Sequence, residues 1–370
     1  MSLVFFISGH GFGHASRQVE IINALTSREP DLRVIIRSAV NAELLARTLH
    51  GRYELRPGVT DVGIVQATSL AHDDDGTVRA AVEFYRTFDR RVRAEADALA
   101  DDDVRLVVGD IPPLAFEVAA RLGQPSLAIA NFTWDWIYET HPGMQAAAPD
   151  LVPRLRAAYA KATLALELPF SGGFEVFTDV RPLPLVARRP TRRRADTRAH
   201  FGIAHDRPAV LLSFGGYGLP SLNLSTLDCL GQWSVVTTDR IAPQTGAIPS
   251  GVVFVPEASF RSTGFRYEDL VAAVDVVLTK PGFGIIAECI AAGTAMLYTS
   301  RGAFREYDRL VRDLPRFVRS RFIDQRELFS GRVRGALEEV AGQPAPPETM
   351  PTHGAEAAAD QVLRLVQVST

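Results

Sequence analysis

The residues with the clearest chemical potential in this 370-residue chain stand in one stretch, Ser8 to Arg17, reading SGHGFGHASR. An apolar run, Leu3 to Ile7, precedes it, and Val19, Ile21, Ile22 and Leu25 follow at the spacing of a helix packed on one face. Gly9, Gly11 and Gly13 therefore occupy a turn between strand and helix, where a backbone bare of side chains lets a ligand approach. His14 falls at the helix start, and a neutral imidazole there can act as a general base. A histidine merely bonded to nearby backbone is the equal alternative.

A second feature offers His14 a partner. VRLVVGDIPPLAFEVAARL reads as strand, acidic turn and helix, and it places Asp110 at the carboxyl end of a strand. An aspartate there is ordinarily a helix cap. Across the switch point of an open sheet it can instead orient a histidine, hold one tautomer and stabilise the imidazolium. His10 and Arg17 flank the loop and could touch an acceptor or a phosphate, although a solvated helix face is the simpler place for Arg17. NFTWDW, Asn131 to Trp136, follows another strand toward the same region. Its amide and aromatic groups could bind a sugar, or Trp134 and Trp136 could close the core.

The second half of the chain has glycine turns of its own. LLSFGGYG sets Gly215, Gly216 and Gly218 after an apolar run, a common place for backbone amides to meet phosphates. VDVVLTKPGFGIIAE is more specific: a strand ends at Thr279, Lys280 and the glycines Gly282 and Gly284 form the turn, and Glu288 sits one turn into the next helix. A carboxylate at that point, accepting two hydroxyls, suits the ribose of a nucleotide whose phosphates lie on the turn. A dinucleotide reading of GHGFGH is disfavoured, because His14 replaces the third glycine and the second strand ends in Arg37-Ser38 without a ribose-binding carboxylate.

These turns need parallel sheets to hold them, and the chain supplies the pattern. Apolar runs at 3–8, 32–37, 63–66, 104–109, 125–130 and 162–168 alternate with helical stretches, and so do runs at 209–214, 233–238, 251–256, 274–279 and 294–299. Asp179 to Arg194, with three prolines and no periodicity, reads as a linker. The expected architecture is α/β: two doubly wound, Rossmann-like domains facing across a cleft, residues 1–180 on the acceptor side and 181–345 binding nucleotide. A C-terminal helix in 346–370 would pack back on the first domain. Five arginines in the linker (188, 189, 192, 193, 194) are best read as a solvated cluster. The acidic triplets Asp73–Asp75 and Asp101–Asp103 lack the setting of metal ligands.

Composition narrows the class. Hydrophobic residues make up 46% and charged residues 22%, ordinary for a soluble globular protein. No apolar run is long enough to span a bilayer, and no signal peptide is expected. Two cysteines, Cys229 and Cys289, suit reduced thiols in a cytoplasmic protein. A formal charge of −3 argues against a nucleic-acid partner. The oligomeric state stays open.

Taken in order, SGHGFGHASR, GIVQATSL, VVGDIPP, NFTWDWIY, PLPLVARRP, SFGG and TKPGFGIIAE resemble the GT-B glycosyltransferase superfamily. Within it, the likeness is to the glycosyltransferase-like N-terminal domain of plant L-arabinokinase and its stand-alone bacterial relatives, and it runs to about Ile323. No galactokinase-type segment follows, so arabinokinase activity is not expected. The resemblance implies that His14 activates an acceptor hydroxyl, that Asp110 orients it, and that Glu288 binds the donor ribose. It further implies that Gly215, Gly216, Lys280, Gly282 and Gly284 surround the diphosphate, and that Phe265 and Arg266 lie by the base. Gly11, Gly13, His10, Arg17, Asn131 and Trp134 would line the acceptor side. SRGAFREYDR departs from the family, since Glu306 has no glutamine after it to complete the usual acidic–amide pair for the donor sugar.

The expected function is an inverting, metal-independent transfer of a sugar from a nucleotide-sugar, UDP-linked, to a small-molecule hydroxyl, with no cofactor beyond the donor. The alternatives are a nucleotide-sugar sensor without turnover, and a sugar-nucleotide epimerase of the same fold, which would need more cleft carboxylates.

Overall fold

Two parallel sheets emerge from the alternation of short apolar runs with helices. The first holds β1 (Ser2–Ile7), β2 (Arg33–Ser38), β3 (Tyr53–Pro57), β4 (Val104–Asp110), β5 (Ser126–Phe132), β6 (Leu164–Gly172) and β7 (Val180–Pro182), in the spatial order β3-β2-β1-β4-β5-β6-β7. The second holds β8 (Ala209–Ser213), β9 (Ser234–Thr237), β10 (Val252–Phe254), β11 (Val276–Thr279), β12 (Ala295–Tyr298) and β13 (Ser320–Phe322), in the order β10-β9-β8-β11-β12-β13. This computed structural model describes residues 1–216, 218–219, 221–241, 248–302 and 304–368. Tyr217 of the glycine turn after β8, Ala303, and the last two residues of the expected C-terminal unit lie outside the described residues.

Each sheet changes winding direction beside its first strand, between β1 and β4 and between β8 and β11. Helices depart to opposite faces at such a point and leave a crevice beyond the strands' carboxyl ends. Both glycine turns of interest stand at these two crevices. The strands are anchored by burial on both faces: Leu3, Phe5 and Ile7 enter one apolar cluster while Val4 and Phe6 enter the other. The C-terminal helix Gly354–Val368 adds Ala358, Ala359 and Val362 to the cluster that holds Ile21, Ile22 and Leu25 of the helix Phe12–Arg28. Arg28 donates to Glu356 O at 3.3 Å and pairs with Asp360, tying the two helices together.

Three expectations change. Residues 63–66 are not a strand; they run as a loop in which Gln66 makes an isolated bridge to His72. β3, β7 and β13 carried no apolar run to reveal them. All three are edge strands with exposed or half-buried residues, so the two-sided burial that marks a central strand is missing from their sequences. The segment expected as a linker therefore begins with a strand of the first sheet, and it continues along the C-terminal segment, with Leu185 N donating to Pro351 O at 2.9 Å.

Candidate active site

The register of β1 with β4 sets Ile7 opposite Asp110, so the aspartate stands level with the start of the glycine loop. Ser8 N donates to Asp110 O at 2.8 Å and fixes that level. Gly11, the N-cap of the helix Phe12–Arg28, has φ 73°, a left-handed conformation that favours glycine. From this start His14, Arg17 and Gln18 fall at i, i+3 and i+4 and share one helix face. All three reach the buried Asp110 carboxylate. His14 Nδ1 lies 2.8 Å from Oδ1, Arg17 Nε donates to Oδ2 at 2.6 Å, Gln18 Nε2 donates to Oδ2 at 2.8 Å, and Arg17 Nη2 also donates to Oδ1. Four donors fill the carboxylate's acceptor capacity.

Protonation follows from this geometry. Burial works to raise the Asp110 carboxyl, but the Arg17 and His14 charges and their hydrogen bonds outweigh it and hold the group down at about 2. Asp110 is thus an anion at neutral pH. A carboxylate oxygen 2.8 Å from an imidazole nitrogen needs a proton between them, so in the neutral ring that proton is assigned to His14 Nδ1 and Nε2 is left as an acceptor. The ring is 7% exposed and stands edge-on to Phe132, with centroids 5.6 Å apart.

Arg17 is not on a solvated face; it is 4% exposed. Its reach to Asp110 explains why, and its Nη1 continues outward, donating to Asn131 Oδ1 at 2.6 Å. Asn131 Nδ2 in turn donates to Glu306 Oε1 at 2.8 Å, so Glu306 of the second half is tied to the first. Trp134, 2% exposed, serves core and loop together: its Nε1 donates to Asp61 Oδ2 at 2.7 Å while its ring stands 6.1 Å from that of His10. Asp61 is a site residue that sequence reasoning missed. It is buried, accepts from Ser8 Oγ at 3.1 Å, and lies 3.9 Å from His10 Nε2. It sits in a loop between elements, so no periodic signal marked it. Gly63 belongs to the same corner, because a Cβ there would collide with the His10 ring.

Across the crevice, the helix Phe283–Ala292 starts at Gly282 with no side-chain cap. Gly284 comes so near that a Cβ on it would lie 3.8 Å from Gly13 Cα, and a Cβ on Gly216 would lie 3.1 Å from the Phe12 ring. The two glycine turns face each other. Lys280, at the end of β11, has no carboxylate partner among the described residues, and a Cβ on Gly215 would be 3.9 Å from its Cε. Burial, and secondly the neighbouring Arg301 cation, push the Lys280 ammonium down to about 8. Arg301 donates to Pro281 O at 2.9 Å, keeps a buried Nε without a partner, and lies 3.7 Å from Glu306. Sequence reasoning did not single it out, because it stands in a loop after β12.

Further down the same interface, Glu288 is buried but not open as expected: Arg188 holds it, donating from Nε to Oε1 at 2.9 Å and from Nη2 to the same atom. Arg188 therefore leaves the solvated cluster, whereas Arg193 stays in it with its side chain 84% exposed. Arg266, expected by the base, pairs with Glu20 Oε1 at 3.0 Å and Glu268 Oε1 at 2.5 Å. The Phe265 ring stacks on His200 at 4.3 Å, Arg192 lies over it at 5.4 Å, and its backbone N donates to Thr263 Oγ1 at 3.5 Å. Asp73 caps a helix, accepting from Gly76 N at 2.8 Å, and no cluster of three metal-binding side chains occurs among the described residues. A shallow surface depression of about 700 Å³, lined by Trp136, Arg156, Arg305 and Arg309 among others, lies apart from His14 and Lys280.

No family model matches the sequence. L-arabinokinase of Arabidopsis thaliana is 28% identical over 307 residues, which are 82% of this chain and 28% of that protein, so the chain spans little more than a quarter of that relative. A UDP-N-acetylglucosamine--N-acetylmuramyl-(pentapeptide) pyrophosphoryl-undecaprenol N-acetylglucosamine transferase of Clavibacter michiganensis is 25% identical, covering 80% of this chain and 76% of its own. Among solved structures, the glycotransferase of kitacinnamycin superposes with a TM-score of 0.63 at 19% identity, over 99% of each chain.

Proposed function

We propose that this chain, a member of the GT-B glycosyltransferase superfamily by its fold, transfers a sugar from a UDP-sugar to a small-molecule hydroxyl by single displacement. The observation that carries this reading is the His14–Asp110 pair at 2.8 Å, which leaves Nε2 as a proton acceptor opposite the cationic turn of Lys280 and Arg301. The acceptor oxygen attacks the anomeric carbon as its proton passes to Nε2, and the bond from that carbon to the diphosphate oxygen breaks. Configuration at the anomeric carbon inverts. Asp110 stays ionised and steadies the imidazolium through Nδ1. The leaving diphosphate meets the amides of the Gly282–Gly284 turn together with Lys280 and Arg301, charges that take the place of a divalent cation.

The UDP-N-acetylglucosamine donor of the Clavibacter relative supports a uridine nucleotide. Its acceptor is lipid-linked, whereas no helix among the described residues here is long and apolar enough to cross a membrane. The test is release of UDP from UDP-sugars with and without hydroxyl acceptors, in the presence and absence of EDTA. Acceptor-dependent release that survives EDTA is expected. Tight UDP binding without release for any acceptor would favour the sensor reading, and loss on chelation restored by magnesium would overturn the metal-independent mechanism.

A further inference from the structure

Glu288, 4% exposed, has half of its carboxylate already used. A carboxylate oxygen offers two lone-pair sites, and the Nε and Nη2 donors of Arg188 occupy both on Oε1. No described residue donates to Oε2. Arg188 belongs to neither sheet; it comes from the segment between β7 and the helix Arg194–Phe201. Its other contacts hold it in place: Nη1 lies 3.6 Å from Glu268 Oε2, and the guanidinium stands 5.9 Å from the Tyr267 ring. Burial opposes the Arg188 charge, and Glu288 and Glu268 more than offset that, so the guanidinium remains protonated. Glu268 is a second carboxylate for Arg188, but it stands off at 3.6 Å, and with Glu20 it already shares Arg266.

An unencumbered carboxylate can accept both hydroxyls of a ribose diol, one on each oxygen. With Oε1 filled, that mode is closed. We propose that Arg188 is the specificity-determining residue of the ribose site: Glu288 reads one ribose hydroxyl through Oε2, and the other contributes little. The inference rests on the nucleotide-donor reading above and narrows it, for the donors then include nucleoside diphosphate sugars that lack the unread hydroxyl. A guanidinium is needed for this effect. Its planar fork sets two donors on one oxygen, which an ammonium on a flexible stem does not reproduce.

Calorimetry with UDP, 2′-deoxy-UDP and 3′-deoxy-UDP on the wild-type protein tests it. One deoxy analogue should bind within about threefold of UDP, and the other should lose about tenfold or more, the scale of a hydrogen bond to a charged group. In Arg188→Lys, which keeps the charge and frees part of Oε1, both analogues should lose about tenfold relative to UDP. Tenfold losses for both analogues in the wild type would overturn the proposal, as would an unchanged pattern in a folded Arg188→Lys protein. If that variant does not fold, the wild-type comparison decides alone. The two readings fail differently: no UDP binding removes the donor assignment, whereas UDP binding that ignores both hydroxyls removes only the ribose role of Glu288 and this inference with it.

Discussion

The tripeptide Gly-Phe-Gly occurs in both halves of the crevice, as Gly11-Phe12-Gly13 and Gly282-Phe283-Gly284, and each copy starts a helix at its phenylalanine after an uncapped glycine. The two turns nearly touch, yet they carry opposite chemistry. After the first come His14 and Arg17; at the same offsets after the second come Ile285 and Glu288. The strand ends beneath them differ as well. Asp110 under the first turn is saturated by four donors, so the charges of Arg17 and Asp110 cancel and a proton acceptor remains on His14. Among the described residues, Lys280 and Arg301 beside the second have only the carboxylate of Glu306, 3.7 Å from Arg301, to answer them. On the proposed reading, the same tripeptide leads into a base on one side and an anion site on the other. What decides is the residue next along the helix and the residue closing the neighbouring strand.

Removing the base separates the two turns most sharply. His14→Ala should lower turnover by about 10²–10⁴ while UDP affinity stays as it was, because the proposed nucleotide site is on the other turn. Asp110→Asn should show a smaller loss of the same kind, since the imidazole persists without its orienting anion. If His10→Ala instead abolished turnover and His14→Ala did not, the pair formed by His10 with Asp61 would be the reacting one. Glu288→Gln addresses the opposite turn: UDP affinity should weaken by about 1.5–3 kcal/mol in calorimetry, with the folded state retained.

A pH series comes next in size. Burial and the Arg301 cation lower the Lys280 ammonium from its ordinary 10.5 to about 8, so above that pH a diphosphate must bring a proton with it. UDP affinity should hold steady to about pH 8 and then fall by up to about tenfold per pH unit, and Lys280→Met should flatten the profile. For the empty protein the sign is opposite. Between about 8 and 10.5 the unfolded chain binds more protons than the folded one, so the Lys280 contribution makes stability rise with pH across that window. The smallest effect concerns the caps. Gly11→Ala must place a side chain at φ 73° and should cost about 1–2 kcal/mol in denaturant melts. Gly282 has φ −157°, an extended backbone any residue adopts, so Gly282→Ala should leave stability nearly unchanged. Equal costs for the two substitutions would mean that the turns are not distinguished at their starts.

Much of this could be read along the chain. The central strands announced themselves because they are buried on both faces, and β1, β4, β8 and β11 all lie within one or two residues of the apolar runs. The glycine turns followed, since glycines after such strands and before helical periodicity have few other uses. His14 and Asp110 were legible as strand-end and helix-start residues. Asp61 and Arg301 were not, because a loop residue carries no periodicity and its burial is set by whatever packs over it. Arg17 and Arg188 were legible as charges but misplaced. Solvation is the ordinary fate of arginine, and only a buried carboxylate at bonding distance reverses it.

By itself the sequence determined which segments are strands and helices and where the chain must turn, because those depend on neighbours a few residues apart. Tertiary structure alone decided the pairings. His14 meets Asp110 across 96 residues, Arg188 meets Glu288 across 100, and Asn131 meets Glu306 across 175. In each case a charged or polar group is buried at a cost that only its distant partner offsets. That partner is chosen by strand order, by the helix face that returns over it, and by the closeness of the two sheets, none of which is written in local spacing.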